Sequence, residues 1–302
     1  MPVQKYGVAM GKPDLSVIIP SHNEGKDVIA TVDCLLRNTT ANLQLIVVDD
    51  SSTDESVPVL KQWAAQGNIE LIRGHQLGAI NARNRGAAIA KADIIGFIDG
   101  HCFAPKGWDT PLLEAFERSP DTAAASPAIG AMDQHMIKGY GATWEDDDLA
   151  MRWLPRVDEI AEVPFIGGAA TFVRKPIFNA LHGFDQGIIQ WGYEDVEFSI
   201  RLWLFGYRVV VVPNSTIFHK FRTHFRYDLD FVQVHYNKLR LIFLHFDGER
   251  LRRLLHFHLQ FPGAEKSLAM VYSERNTARR EQLFATRRQS MDAFCDRFGL
   301  LC

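Results

Sequence analysis

The chain has 302 residues, 47% of them hydrophobic and 23% charged, enough to bury one large core or two small ones. A net charge of −3 argues against a broadly basic nucleic-acid-binding surface, and no apolar run reaches the ~18–20 residues of a membrane span. Cys34, Cys102, Cys295 and Cys302 form no Cys-x-x-Cys pair and no disulfide framework, which fits a reducing compartment. Met1 to Lys5 is followed by no long apolar run, so a soluble, cytoplasmic protein is expected.

In chain order, Leu15–Pro20 reads as a buried strand, and Asp27–Leu36 carries apolar residues at helical spacing. Gln44–Asp50 is a second strand, after which Ser51-Ser52-Thr53-Asp54 supplies turn and N-cap chemistry. Ile69–Ile72 is a third strand, Ala79–Lys91 an Ala-rich helix, and Asp93–Ile98 a fourth strand that ends at Asp99. This alternation predicts an α/β fold with a mostly parallel sheet covered on both faces. Ligands of such sheets bind outside the carboxyl ends of the strands. Those ends carry Ser21-His22-Asn23-Glu24, Asp49-Asp50 and Asp99-Gly100-His101, which therefore point toward one crevice.

No glycine-rich phosphate loop follows the first strand, which argues against a dinucleotide fold or a P-loop ATPase, and a bound nucleotide needs a metal to neutralise its phosphates. Asp99-x-His101 offers an oxygen and an imidazole for a divalent cation, although such a pair alone is more often a polar turn capping a strand.

Further along, Phe165–Val173 reads as a loop with Gly167 and Gly168 feeding a strand, the glycines permitting close approach of a ligand. Glu194 and Asp195 open a helix running to Phe205, where the helix dipole favours the ionised carboxylate, and N-terminal capping alone accounts for such a pair. Gly206 ends that helix, and Tyr207–Val212 is a strand that Pro213 stops. Read alone, His219 is a structural histidine, as are His256 and His258, which do not share a helix face. Asp228–Phe246 is a long aromatic-rich helix. From Gly248 to Cys302 ten Lys/Arg against six Asp/Glu give +4, leaving −7 for the rest. Two units are expected: residues 1–227, carrying the chemistry, and a helical extension over 228–302. The extension is expected to influence acceptor choice, peripheral membrane contact or homo-oligomerisation rather than donor chemistry.

These motifs resemble those of GT-A-fold glycosyltransferases. The family-2 pattern is present in Val17–Glu24, Val47–Asp54 and Glu194–Trp203. A closer match is to the catalytic domain of the polypeptide N-acetylgalactosaminyltransferases: His22-Asn23-Glu24, Asp99 to Cys102 with Gly107-Trp108, Ile166-Gly167-Gly168, Trp191 to Glu194, and His219 to Arg222. The resemblance covers roughly Leu15 to Arg222. It implies an αβα sandwich with a C-terminal helical segment, and a metal-dependent transfer of sugar from a UDP-sugar to a glycan, peptide or lipid-linked acceptor. It also implies Mn²⁺ (or Mg²⁺) held by Asp99, His101 and His219, and a donor site formed by Pro20, His22, Glu24, Asp50, Arg83, Asp99, Gly168 and Trp191. Asp50 corresponds to the uracil-binding position, and His22 to the nucleoside-contacting one. Trp191 and Glu194 correspond to positions that touch the transferred sugar or shape its pocket.

The animal enzymes' lectin domain and membrane anchor are not expected here. Tyr193 and Asp195 replace the Gly and Asn of the polypeptide branch, which retains configuration. Asp at the second position is typical of inverting family-2 enzymes, so the expectation is inversion, with Asp195 as base beside Glu194. The alternatives are a sugar-nucleotide nucleotidyltransferase, which usually needs a glycine-rich Arg/Lys loop after the first strand, and a non-catalytic nucleotide-sugar-binding module, which need not keep the ligands.

Overall fold

A computed structural model describes residues 11–134, 138–222 and 230–300. Its first elements are β1 (Leu15–Ser21), α1 (Lys26–Asn38), β2 (Leu43–Asp50), α2 (Ser56–Ala65), β3 (Glu70–Gly74), α3 (Gly78–Ile89), β4 (Ile94–Ile98), β5 (Cys102–Phe103), α4 (Asp109–Arg118) and β6 (Thr122–Ala131). Then come β7 (Lys138–Gly139), β8 (Ala142–Trp144), β9 (Met151–Trp153), β10 (Ala161–Glu162), β11 (Ala170–Arg174), α5 (Lys175–Ala180), α6 (Glu194–Leu204) and β12 (Arg208–His219). The chain closes with α7 (Phe231–His245), α8 (Gly248–His258), α9 (Ala264–Val271), α10 (Glu274–Thr286) and α11 (Met291–Phe298).

The main sheet runs β10-β12-β6-β11-β4-β1-β2-β3. β3, β2, β1 and β4 are parallel and joined by helices, as the alternation predicts. β1 shows why its strand is apolar throughout. Ile18 belongs to the core on one face, while Val17 and Ile19 belong to the core on the other. Beyond β4 the sheet is mixed. β11 enters antiparallel between β4 and β6, because the excursion after β6 returns the chain at the carboxyl end of the sheet. β6 and β12 pair in parallel.

Pro213 does not stop its strand, contrary to the sequence expectation. β12 continues to His219, with an irregularity between Val212 and Thr216 that takes the proline out of the hydrogen-bonded register. That continuation carries His219 alongside Cys102 of β5. Gly206 adopts φ +80° and ends α6 as expected.

The helices after residue 230 are not a separate layer. Leu239, Phe246, Leu254 and Phe294 lie in the same buried cluster as Phe198 and Trp203 of α6. The 227/228 boundary, the start of the Asp228 helix, the N-terminal pentapeptide and Cys302 lie outside the described residues. Cys34 and Cys102 are buried thiols without a disulfide. Among the described residues no helix is long and apolar enough to cross a membrane.

Candidate active site

The carboxyl ends of β1, β2 and β4 are stitched together. Asn23, at φ +51°, donates its backbone N–H to Ser52 Oγ at 2.8 Å, and its Oδ1 accepts the Thr53 N–H at 2.9 Å. His22 Nδ1 donates to the Asp50 carbonyl oxygen at 2.6 Å, which places the proton on Nδ1. The Asp50 carboxylate accepts the Leu77 and Gly78 N–H groups, each at 2.8 Å, and so fastens the start of α3. Asp49 is turned to Arg73. Of the two adjacent aspartates, Asp50 stands next to His22, but both its oxygens already serve backbone donors. Pro20, one residue before the end of β1, lies opposite Val48, and its carbonyl lies against the Gly100 turn: a Cβ at Gly100 would sit 3.5 Å from that oxygen and 3.1 Å from Glu24 Cγ.

Asp99, His101 and His219 converge. One ligand-type atom from each lies within 4.8 Å of the others, the only such trio of metal-binding side chains among the described residues. His219 Nε2 is 3.5 Å from Asp99 Oδ2, and the two imidazole centroids are 4.7 Å apart. His101 Nδ1 and His219 Nδ1 are buried without a hydrogen-bond partner. A half-buried cluster of one carboxylate and two imidazoles fits Mn²⁺, which accepts both donor types. Burial pushes the Asp99 carboxyl up, but Arg83, His219 and His101 outweigh it and hold it well below the usual carboxylate range. Glu24 faces this cluster from β1's loop, with Oε2 3.4 Å from His101 Nδ1. Arg222 clamps it with both guanidinium nitrogens, at 3.2 and 2.5 Å, and also reaches Asp27 at 2.8 Å.

Arg83 joins this centre to the second acidic pair. It donates to Asp99 Oδ1 at 2.7 Å and to Glu194 Oε1 at 2.8 Å, and it is 5% exposed, so its charge acts on its two partners rather than on solvent. Asp195 accepts the Gly168 N–H at 2.7 Å and the Val196 N–H at 2.8 Å. The sequence expectation of a carboxylate kept ionised by the helix dipole is corrected here. Burial, and then the neighbouring Glu194 charge, push Asp195 up to about 7; the two N–H donors and Arg83 offset this only in part. A carboxyl near neutrality suits proton transfer.

The turn before α6 is built from residues with positive φ, Gln190, Gly192 and Tyr193, the last at +71°. Trp191 stands 43% exposed within it, outside the core. Asn237 of α7 holds this turn. Its Nδ2 donates to the carbonyls of Ile189, Trp191 and Gly192 at 2.7, 3.0 and 3.2 Å, and its Oδ1 accepts the Ile189 N–H at 2.9 Å. The C-terminal segment thus supports the residues leading into Glu194 and Asp195. Asn237 was not anticipated, although a lone Asn in an aromatic-rich helical run is itself a signal, because a buried amide must find partners. Arg222 was quoted only as part of a motif, and its clamp on Glu24 spans nearly two hundred residues.

Two family models match the chain: "Glycosyl transferase family 2" over residues 16–178, and "N-terminal domain of galactosyltransferase" over residues 161–226. Polypeptide N-acetylgalactosaminyltransferase 5 of Caenorhabditis elegans is 32% identical over 237 residues, covering 70% of this chain and 37% of the relative. Polypeptide N-acetylgalactosaminyltransferase 6 of Mus musculus is 32% identical over 245 residues, covering 73% and 39%. The chain therefore spans about two fifths of these relatives' lengths. In fold it is similar to GalNAc-T7, crystallised with UDP, GalNAc and Mn²⁺, at a TM-score of 0.78, 20% identity and coverage of 95% of this chain and 57% of that one. It is also similar to the mannosyltransferase PcManGT of Pyrobaculum calidifontis, in complex with GDP-Man and Mn²⁺, at a TM-score of 0.54, 16% identity and coverage of 91% and 86%. With more than half of its length matched by that first model, and a GT-A-like αβα fold, the chain belongs to glycosyl transferase family 2.

Proposed function

We propose that this chain transfers a hexosyl or N-acetylhexosaminyl group from a UDP-sugar to a hydroxyl or other nucleophile of a glycan, peptide or lipid-linked acceptor, with inversion. The observation that carries this reading is the Arg83 bridge, which sets a Mn²⁺-type trio and the Glu194–Asp195 pair on opposite sides of one buried guanidinium. The UDP and Mn²⁺ of GalNAc-T7, and the N-acetylgalactosaminyl transfer named for the relatives, support the donor and metal.

Asp99, His101 and His219 are the residues to hold Mn²⁺, which when bound supplies positive charge to a diphosphate leaving group. Arg83 keeps Asp99 charged and in place. Asp195 takes the proton of the acceptor hydroxyl. The freed oxygen bonds to the anomeric carbon, and the bond from that carbon to the UDP oxygen breaks, leaving its electron pair on UDP. As a residue Asp195 is half-buried rather than fully enclosed.

The test is UDP release from a panel of UDP-sugars with Mn²⁺, with Mg²⁺ and with EDTA, followed by the anomeric configuration of the product by NMR. Metal-dependent UDP release is expected, and an inverted product. UTP and sugar 1-phosphate formed from the UDP-sugar when pyrophosphate is added, with no UDP release, would favour the nucleotidyltransferase alternative, and donor binding without turnover would favour the non-catalytic module.

A further inference from the structure

Glu24 falls within the donor motif by sequence, yet its surroundings give it a different task. Among the described residues its carboxylate is paired away from the β2 end, where His22 and Asp50 lie together. Its carboxylate is instead set between a metal-ligand histidine and a guanidinium. Oε2 is 3.4 Å from His101 Nδ1, and that nitrogen is buried with no hydrogen-bond partner. Both Glu24 oxygens are held from behind by Arg222, whose fork also reaches Asp27 at the first turn of α1. The absent Cβ at Gly100 lets the 99–101 turn lie directly against the Glu24 side chain.

We propose that Glu24 is a positioning residue for His101, accepting its Nδ1–H and thereby presenting Nε2 as the metal-binding nitrogen. Metal-bound histidines commonly give their other N–H to a carboxylate, which fixes the tautomer and the ring orientation. Here the carboxylate is itself immobilised by the Arg222 fork, whose geometry matches two oxygens at once. The 3.4 Å separation is longer than a formed hydrogen bond, so the imidazole and the carboxylate must approach by a few tenths of an ångström for the bond to form. The arrangement also assigns a role to His219 by contrast: its Nε2 faces Asp99, while its Nδ1 has no carboxylate behind it. His101 is therefore the ligand with the more rigidly set orientation.

This inference rests on the metal reading of the site, and two measurements separate the two. The first is Mn²⁺ binding without any nucleotide, by calorimetry. Glu24→Ala is expected to weaken Mn²⁺ by about 10–100-fold, while Glu24→Gln, whose amide oxygen still accepts Nδ1–H, loses less than about 10-fold. The second is the His101 tautomer in the metal-free protein at pH 8, by long-range ¹H–¹⁵N NMR. Nδ1–H is expected in the parent and in Glu24→Gln, and loss of that preference in Glu24→Ala. A parent that binds no Mn²⁺ overturns the metal reading and this role with it. Parent-like Mn²⁺ affinity in Glu24→Ala, or an Nε2–H tautomer in the parent, overturns the role of Glu24 alone.

Discussion

The Gly168 N–H points at the Asp195 carboxylate and donates to it over 2.7 Å, tying the loop that feeds β11 to the first turn of α6. A side chain at position 168 would place its Cβ 3.1 Å from the same carboxylate oxygen, so only glycine leaves that contact undisturbed. The bond orients Asp195 without neutralising it. Asp195→Asn keeps the shape and removes the base. Transfer should fall by roughly 10²–10⁴-fold, the usual contribution of a positioned base, while UDP-sugar affinity stays near that of the parent. Steady-state rates and calorimetric donor binding check this, and transfer at close to the parent rate would remove Asp195 as the base.

The pH dependence follows from the same residue. With Asp195 near 7, kcat/KM should rise with pH through neutrality as the carboxyl loses its proton. Stability should move the opposite way. Between an ordinary aspartate value of 3.8 and about 7, the native state keeps a proton that the unfolded chain has released. Stability from this group is therefore present below that window and lost as pH rises through it. Thermal unfolding of the parent and of Asp195→Asn across pH 4–8 should show this falling component in the parent and its absence in the variant.

Mn²⁺ should stabilise the folded chain, because the three ligands are brought together only in the native state. At a hundred times its Kd the gain is about 2.7 kcal/mol for a site absent from the unfolded chain. His219→Ala removes one ligand of three and should lose most of that increment in thermal unfolding, with little change in stability when EDTA is present. An undiminished Mn²⁺ shift in the variant would place the metal elsewhere.

Asn237 should matter for activity although it lies in the C-terminal helices. Asn237→Ala frees three carbonyls and one N–H of the turn around Trp191. A cost of about 1–3 kcal/mol is expected for buried polar groups left unpaired. Loosening of that turn should raise KM for the UDP-sugar more than it lowers Mn²⁺ affinity. Denaturant titration and donor KM measure the two effects, and an unchanged KM would confine Asn237 to stability.

The strand–helix alternation of the first hundred residues was legible because it is written locally. Apolar runs such as Ile94–Ile98 and turn residues such as Ser51–Asp54 specify their own elements. The trio at Asp99, His101 and His219 was also reachable, through motifs whose order along the chain matches the family. Tertiary structure decided the rest, because those features depend on partners far away in sequence and on exclusion of water. Pro213 passes within a strand only because β6 offers a register that tolerates an irregularity. Arg83 acquires its function from Glu194, 111 residues on. Asp50 uses its oxygens on backbone groups that no motif announces. Asp195 is raised by burial beside a second carboxylate, and burial, a property of the assembled fold, there outweighs the local helix dipole that the sequence alone displays.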